Sequence, residues 1–288
     1  MYDDILLPVD GSEGSARVRD HVADIAHWAD ASVTVLYVAD STRDSVTVVE
    51  GKTVDALESK GEDVVAEATN ALAGQGVDAE GDVVQGNPAP TIADYADEYG
   101  HDLVVMATHG RAGLSRFLRG SVTEKVVRLA SMPVLTARLA ADETLQFPYE
   151  TLLLPTDGSE TAERAARHGL DVAAALDATA HLLSVVDDGA LGPDVRSTVA
   201  AAESEEAAET AVGVLADEAA ERGVETVEHV AHGDPGEEIR AHVESAGTDA
   251  VVMGTTGRSG VEKILLGSVA EAALRTVRVP VVTLGEGA

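Results

Sequence analysis

Leu7-Pro8-Val9-Asp10-Gly11-Ser12 returns later in the chain as Leu154-Pro155-Thr156-Asp157-Gly158-Ser159. Working outward, the same spacing recurs. Gly86-Asn87-Pro88 is matched by Gly233-Asp234-Pro235, and His109-Gly110-Arg111 by Thr256-Gly257-Arg258. Gly120-Ser121-Val122 is matched by Gly267-Ser268-Val269, and Met132-Pro133-Val134 by Val279-Pro280-Val281. Every pair stands 147 positions apart. That unit is far longer than a solenoid repeat, so the chain is a duplicated domain, about 144 residues per copy, a common size for a self-sufficient core.

Each copy alternates short apolar runs with longer amphipathic stretches. In the first, the runs are Ile5–Val9, Val33–Val38, Asp82–Gln85, Leu103–Ala107 and Val134–Ala137, with helical patterns near 13–29, 52–74, 89–99 and 121–130. The second repeats the strand pattern at 152–156, 180–186, 227–231, 250–254 and 281–284, and carries an Ala/Glu-rich helix over about 194–222. Runs that are apolar on both faces suit strands buried in a parallel sheet, and helical spacers suit right-handed crossovers. The fold class is therefore α/β: two tandem, doubly wound, five-stranded parallel sheets. The stretch 140–150 lacks periodicity and contains Pro148, which gives domains at 1–140 and 150–288 with a linker at 141–149.

Composition narrows the function. Hydrophobic residues make up 45% of the chain and aromatics only 3%, so both cores must be built from Val, Leu, Ile and Ala. With no Cys, disulfides, thiolate catalysis and Cys-ligated zinc are excluded. The longest apolar runs are too short to cross a membrane. Asp3 and Asp4 stand where a signal peptide would be basic, so the expected compartment is the cytoplasm. A formal net charge of −31 argues against nucleic acid and against anionic membranes. Only Lys52, Lys60, Lys125 and Lys263 are lysines. Acidic excess with scarce Lys fits a protein from a salt-loving cell, where a Debye length of about 3 Å at molar salt screens self-repulsion. An acidic mesophilic protein is the plainer reading.

In sheets of this kind ligands sit beyond the carboxyl ends of the strands, where strand order reverses. Asp10 and Asp157 follow the first strand of each copy, Gly110 and Gly257 follow the fourth, and helices should begin at Ser121 and Ser268. The second copy reads Gly254-Thr255-Thr256-Gly257, nine residues, then Gly267-Ser268. Glycines allow close backbone approach to a phosphate, and a helix N-terminus favours an anion. Arg258 and Lys263 add positive charge in an acidic chain. The plain alternative is a Gly-rich strand-to-helix turn.

Both copies resemble universal stress protein domains. The family's nucleotide pattern, Gly-x2-Gly-x9-Gly-Ser/Thr, is met in full by Gly254, Gly257, Gly267 and Ser268, within the familiar Ile264-Leu265-Leu266-Gly267-Ser268-Val269. The Pro-x-Asp strand end, the Gly-x-Pro loop and the closing Pro-Val strand each occur twice. The resemblance implies a Rossmann-like strand order of 3-2-1-4-5 and, in the ATP-binding branch, a site between strands one and four. It implies that Asp157 faces the ribose or metal–nucleotide edge. Val185 would offer backbone groups to adenine, and Gly254, Gly257, Gly267 and Ser268, beside Arg258, would hold the phosphates. The first-copy equivalents are Asp10, Val38, Gly110, Arg111, Gly120 and Ser121. The implied ligand is ATP, with or without Mg2+, and no metal ligands are assigned. It also implies that the two closing strands, Pro133–Ala137 and Pro280–Leu284, pair into an intramolecular pseudo-dimer, with a further homodimer left open.

The first copy departs at one position, where Ala107 replaces the first glycine of the pattern. If that position needs φ > 0, an L-residue costs about 1 kcal/mol. If it needs close approach, the methyl meets the ligand. Arg111, Arg116 and Arg119 either compensate or form a solvated basic face. The second site is therefore expected to bind ATP more tightly. Asp10 and Asp157 are read as ligand contacts, with helix capping in Asp-Gly-Ser turns as the alternative. His109 becomes Thr256 in the copy, which disfavours catalysis by histidine. The other histidines, such as His21 and His27, lack a repeated metal-ligand spacing. Neither Gly-x-Ser-x-Gly nor Walker A is present. Regulation by ATP is favoured. The alternatives are a slow ATPase or phosphotransferase, for which no clear base is seen beyond the two Asp residues, and a nucleotide-free interaction protein.

Overall fold

The computed structural model describes residues 1–40, 46–49, 52–107, 122–138, 145–187, 198–256 and 266–285. The chain divides into two compact units, Met1–Phe147 and Pro148–Glu286.

The first unit runs β1 (Asp4–Pro8), α1 (Glu13–Ala29), β2 (Ser32–Asp40), β3 (Val46–Val49), β4 (Lys52–Asp55), α2 (Ala56–Gly74), β5 (Ala79–Gly86), α3 (Pro88–Tyr99), β6 (Leu103–Ala107), α4 (Val122–Leu129) and β7 (Val134–Ala137). The second runs β8 (Thr151–Pro155), α5 (Glu160–Leu176), β9 (Thr179–Val186), α6 (Thr198–Arg222), β10 (Thr226–His232), α7 (Pro235–Ala246), β11 (Ala250–Gly254), α8 (Ser268–Thr276) and β12 (Val281–Leu284). The first unit orders its main strands β5-β2-β1-β6-β7 and the second orders its strands β10-β9-β8-β11-β12. Both are parallel 3-2-1-4-5 sheets, as the sequence led us to expect.

One element corrects the sequence reading. The helical pattern taken from residue 52 starts at Ala56, and Lys52–Asp55 is instead the second strand of an antiparallel hairpin with Val46–Val49. The β-branched density of Val46-Thr47-Val48-Val49 and Thr53-Val54 is the strand signal that helix periodicity masked. The described part of the long second-unit helix begins at Thr198; residues 194–197 lie outside the described residues.

The cores are aliphatic because the central strands are buried on both faces. Ile5, Leu6, Leu7, Leu36 and Leu103 are fully buried in the first unit, and Leu152, Leu153, Leu154, Leu170 and Leu182 in the second. The helices are closed by repeated local devices. Ser12 and Ser159 cap α1 and α5 by accepting from Ser15 and Ala162 N–H, both at 3.3 Å. Asp30 and Asp177 end the same helices in the left-handed region, both at φ 55°.

Register at the amino end of each sheet is also set twice. Asp102 Oδ2 accepts from Asp3 and Asp4 N–H at 2.8 and 3.1 Å. Asp249 Oδ2 accepts from Glu150 and Thr151 N–H at 2.8 and 2.9 Å. The stretch read as a linker is anchored at its far end. Phe147 packs edge-on against His21 and Trp28, each with centroids 5.9 Å apart. Tyr149 is buried in the second unit as Tyr2 is in the first. Among the described residues no helix is long and apolar enough to cross a membrane.

Burial pushes His21 down to about 4. The unfolded chain binds this proton near pH 6.5, so stability falls as pH drops from about 6.5 to about 4, by at most about 3 kcal/mol. Urea midpoints for wild type and His21→Leu should diverge across that window, with the variant losing less. Parallel curves would show that the ring carries no proton-linked stability.

Candidate functional site

The strand ends are built by register. In the second unit Leu153 pairs with Val251 across β8–β11, and Pro155 pairs with Leu183 across β8–β9. Carried forward along extended chain, this sets Asp157 level with Val185 at the carboxyl edge, with Gly254 one residue short of that line on β11. The first unit repeats it, with Leu6 opposite Val104 and Pro8 opposite Leu36, so Asp10, Val38 and Ala107 share that edge.

Val185 gains its significance from the pleat. Leu183 C=O accepts from Thr156 N–H at 2.8 Å, on the β8 side. Backbone groups two residues apart along a strand point the same way. Val185 therefore directs its N–H and C=O past the end of β8, into the switch-point crevice. Val186 points oppositely, its C=O accepting from Gly233 N–H at 3.1 Å on the β10 side. In the first unit Leu36 C=O accepts from Val9 N–H at 2.8 Å, which turns Val38 the same way.

The Asp-Gly-Ser turns resolve the capping question. Asp10 and Asp157 accept from Ser12 and Ser159 N–H at 2.9 and 3.0 Å, forming Asx turns. Gly11 and Gly158 follow at φ 72° and 71°, the left-handed conformation glycine adopts without a Cβ penalty. The serines, and not the aspartates, cap the helices. Asp157 is exposed and Asp10 half-buried.

Gly254 ends β11 without a positive φ, so the backbone-strain account of this position is overturned. Close approach explains it instead. A Cβ there would meet Thr161 Cγ2 at 3.0 Å and the Thr161 carbonyl carbon and oxygen at 3.1 Å. The neighbour is the first turn of α5. At the matching place in α1 stands Gly14, which has no side chain, opposite Ala107. The methyl is small on one side of the helix–strand contact in each copy, and the side differs.

Helix α8 does begin at Ser268, with Gly267 as its cap at φ −62°, a residue with no side chain to accept from the first turn. Gly267 N–H donates to Thr255 C=O at 2.8 Å, holding the helix start against the end of β11. Ser268 is exposed. Glu271 in the first turn opposes an anion there, with Arg275 3.9 Å from it. Gly110, Arg111, Gly120, Ser121, Gly257 and Arg258, with Lys263, lie outside the described residues.

A second grouping escaped the sequence reading. His181 on β9, His229 on β10 and His242 on α7 place one nitrogen each within 4.8 Å of the others. His181 Nδ1 and His242 Nε2 are 2.9 Å apart. Burial, then His229, holds His181 below its ordinary value. Burial, then His229 and His181, pushes His242 down to about 4. These residues are 48 and 13 positions apart and unrepeated, so no spacing rule exposes them.

Fold and strand order together define a tandem, Rossmann-like α/β protein. The model of the universal stress protein family matches residues 1–138 and 148–284, and the chain belongs to that family. A universal stress protein of Methanocaldococcus jannaschii is 33% identical over 141 residues, covering 48% of this chain and 83% of that one. A universal stress protein of Mycobacterium bovis is 29% identical over 248 residues, covering 78% and 77%. The crystal structure of a universal stress protein from Archaeoglobus fulgidus has the same fold, with a TM-score of 0.76 at 24% identity, covering 99% of this chain and 98% of that one.

The exchange of Gly254/Thr161 for Ala107/Gly14 makes a double-mutant cycle informative. Gly254→Ala should cost about 1–3 kcal/mol through overpacking, and adding Thr161→Gly, which removes Cγ2 but keeps the carbonyl at 3.1 Å, should recover only part of it. Additive losses in urea denaturation would refute the contact. ATP titration of the double variant then separates two roles for the glycine. Recovered stability without recovered binding places the methyl against the ligand.

Proposed function

We propose that this protein binds ATP at its switch points, more tightly in the second unit, and uses occupancy to regulate a stress response. The observation that carries this reading is the edge of β9, where Val185 turns its N–H and C=O into the crevice beside the end of β8. An adenine offers a donor and an acceptor in a line that such a backbone pair matches. Three further features support it. Asp157 stands one strand away. Helix α8 presents an N-terminus that no side chain caps among the described residues, which favours a phosphate. Gly254, Gly257, Gly267 and Ser268 complete the family's nucleotide pattern in the second unit, whereas Ala107 interrupts it in the first.

The described residues supply candidate nucleotide contacts, and phosphoryl transfer would need a positioned base besides, which favours regulation over turnover. Mg2+ would accompany the nucleotide through Asp157 and the phosphates. Mass spectrometry of tag-free protein purified in high salt should detect ATP at about one per chain. Val185→Pro, which removes the N–H, should lower ATP affinity at least tenfold while Val38→Pro leaves the tighter site unchanged. A nucleotide-free preparation that also fails to bind added ATP overturns the proposal. Labelled ATP turned over by wild type and not by Asp157→Ala would support the enzymatic reading instead.

The same proposal places the protein in the cytoplasm of a salt-adapted cell, because a net charge of −31 with four lysines needs screening. Raising KCl from 0.1 M to 2 M should raise the melting temperature by about 5 °C or more. A flat or falling midpoint contradicts salt adaptation.

A further inference from the structure

The three histidines of the second unit meet because of sheet register. Leu183 pairs with His229 and His181 pairs with Val227 across β9–β10. His181 and Leu183 share a face of β9, so His181 and His229 lie on one face, one diagonal apart. Helix α7 packs on β9 and β10 and lays His242 across both rings. Ring centroids stand 5.3 Å apart for His181–His229, 5.1 Å for His181–His242 and 4.4 Å for His229–His242. All three rings are half-buried, and His229 Nε2 is buried without a hydrogen-bond partner among the described residues.

The first unit supplies an internal comparison. The equivalent positions, 147 residues earlier, are Thr34, Asp82 and Tyr95. There Tyr95 Oη donates to Asp82 Oδ2 at 3.1 Å, a closed pair of oxygens. The fold thus converges these three positions in both copies. Only the second fills them with nitrogen donors.

We propose that His181, His229 and His242 form a binding site for a divalent transition-metal cation of the zinc class, with three imidazole ligands. Imidazole suits zinc, copper and nickel, whereas Mg2+ takes oxygen ligands at near-octahedral geometry. Tetrahedral zinc with Zn–N bonds near 2.0–2.1 Å sets ligand nitrogens about 3.3 Å apart. One pair already stands at 2.9 Å, and the whole set spans no more than 4.8 Å. Small ring rotations close that difference. Three protein ligands leave a coordination position open to water or a small anion. His181 precedes Val185 by four residues on β9, so the site lies about 13 Å along the strand from the crevice. It is independent of the nucleotide reading.

The test uses the full, tag-free chain, stripped with chelator and titrated with zinc(II) against a chromophoric competitor in excess Mg2+. Cobalt(II) serves as the spectroscopic probe. One zinc per chain is expected, with visible tetrahedral absorption bands for cobalt. His229→Asp and His242→Tyr should each weaken zinc at least tenfold. The triple variant H181T/H229D/H242Y, which installs the trio that the first unit already packs, should abolish the strong site with an unchanged circular dichroism spectrum. Zinc binding equal in wild type and triple variant overturns the proposal. So does a wild-type cobalt complex without tetrahedral bands, a readout that needs no variant to fold.

Discussion

Each sheet depends on the register of its central strand, and a single carboxylate fixes it. Asp102 and Asp249 sit at the amino ends of β6 and β11 and reach across to the first two N–H groups of β1 and β8. The contact is reciprocal. Asp102 and Asp249 N–H groups donate to Asp4 and Thr151 C=O, both at 2.9 Å. A slip of one residue would send every side chain on the strand to the opposite face, so that Ile5, Leu7, Leu152 and Leu154 would have to repack against the other helix layer. The same slip would break the carboxyl edge. Asp157 and Val185 are level there, with Gly254 one residue back on β11, because β8 is pinned at its other end. The candidate site is thus determined from the opposite pole of the sheet.

This dependence explains what could be read from sequence. Leu-Leu-Pro followed by Asp-Gly-Ser announces a buried strand, a left-handed turn and a helix within a few residues, and all of it is local. The parallel order followed from alternation of elements and from family resemblance. The hairpin at Val46–Val49 and Lys52–Asp55 failed because a short β-branched run lay against a long helix and was absorbed into its periodicity. The direction of Val185 backbone groups was implied only by resemblance. Its physical cause, the bond from Thr156 to Leu183, is a pairing across two strands that no linear pattern shows.

The meaning of Gly254 changed most. A glycine inside a nucleotide pattern invites an explanation through the ligand, and a missing glycine invites one through its loss. The structure supplies a neighbour first: the start of α5, with Thr161 8% exposed against the strand end. Third glycines of dinucleotide folds play the same part in helix–strand packing. The first copy sets Ala107 against Gly14, so a single methyl on the strand stands where the second copy has a threonine side chain on the helix. The threonine side chain that crowds position 254 has no counterpart in the first unit.

Duplication gives these comparisons their force, because each position has an internal reference on the same scaffold. Residues kept at the offset of 147 serve what both copies share: the strand ends, the Asx turns, the serine caps and the register clamps. Residues that differ reveal what one copy has acquired or lost. Repetition used as a filter for function is consequently blind to acquisition. Thr34, Asp82 and Tyr95 stand on β2, β5 and α3 where His181, His229 and His242 stand on β9, β10 and α7, on a helix-covered sheet face and not at the carboxyl edge. Three simultaneous changes to one residue type are hard to attribute to packing alone. Thr, Asp and Tyr differ in size, and a mere space-filling replacement would differ likewise. What the three substitutions have in common is a ring nitrogen with a lone pair, placed where the fold already brings the three side chains together.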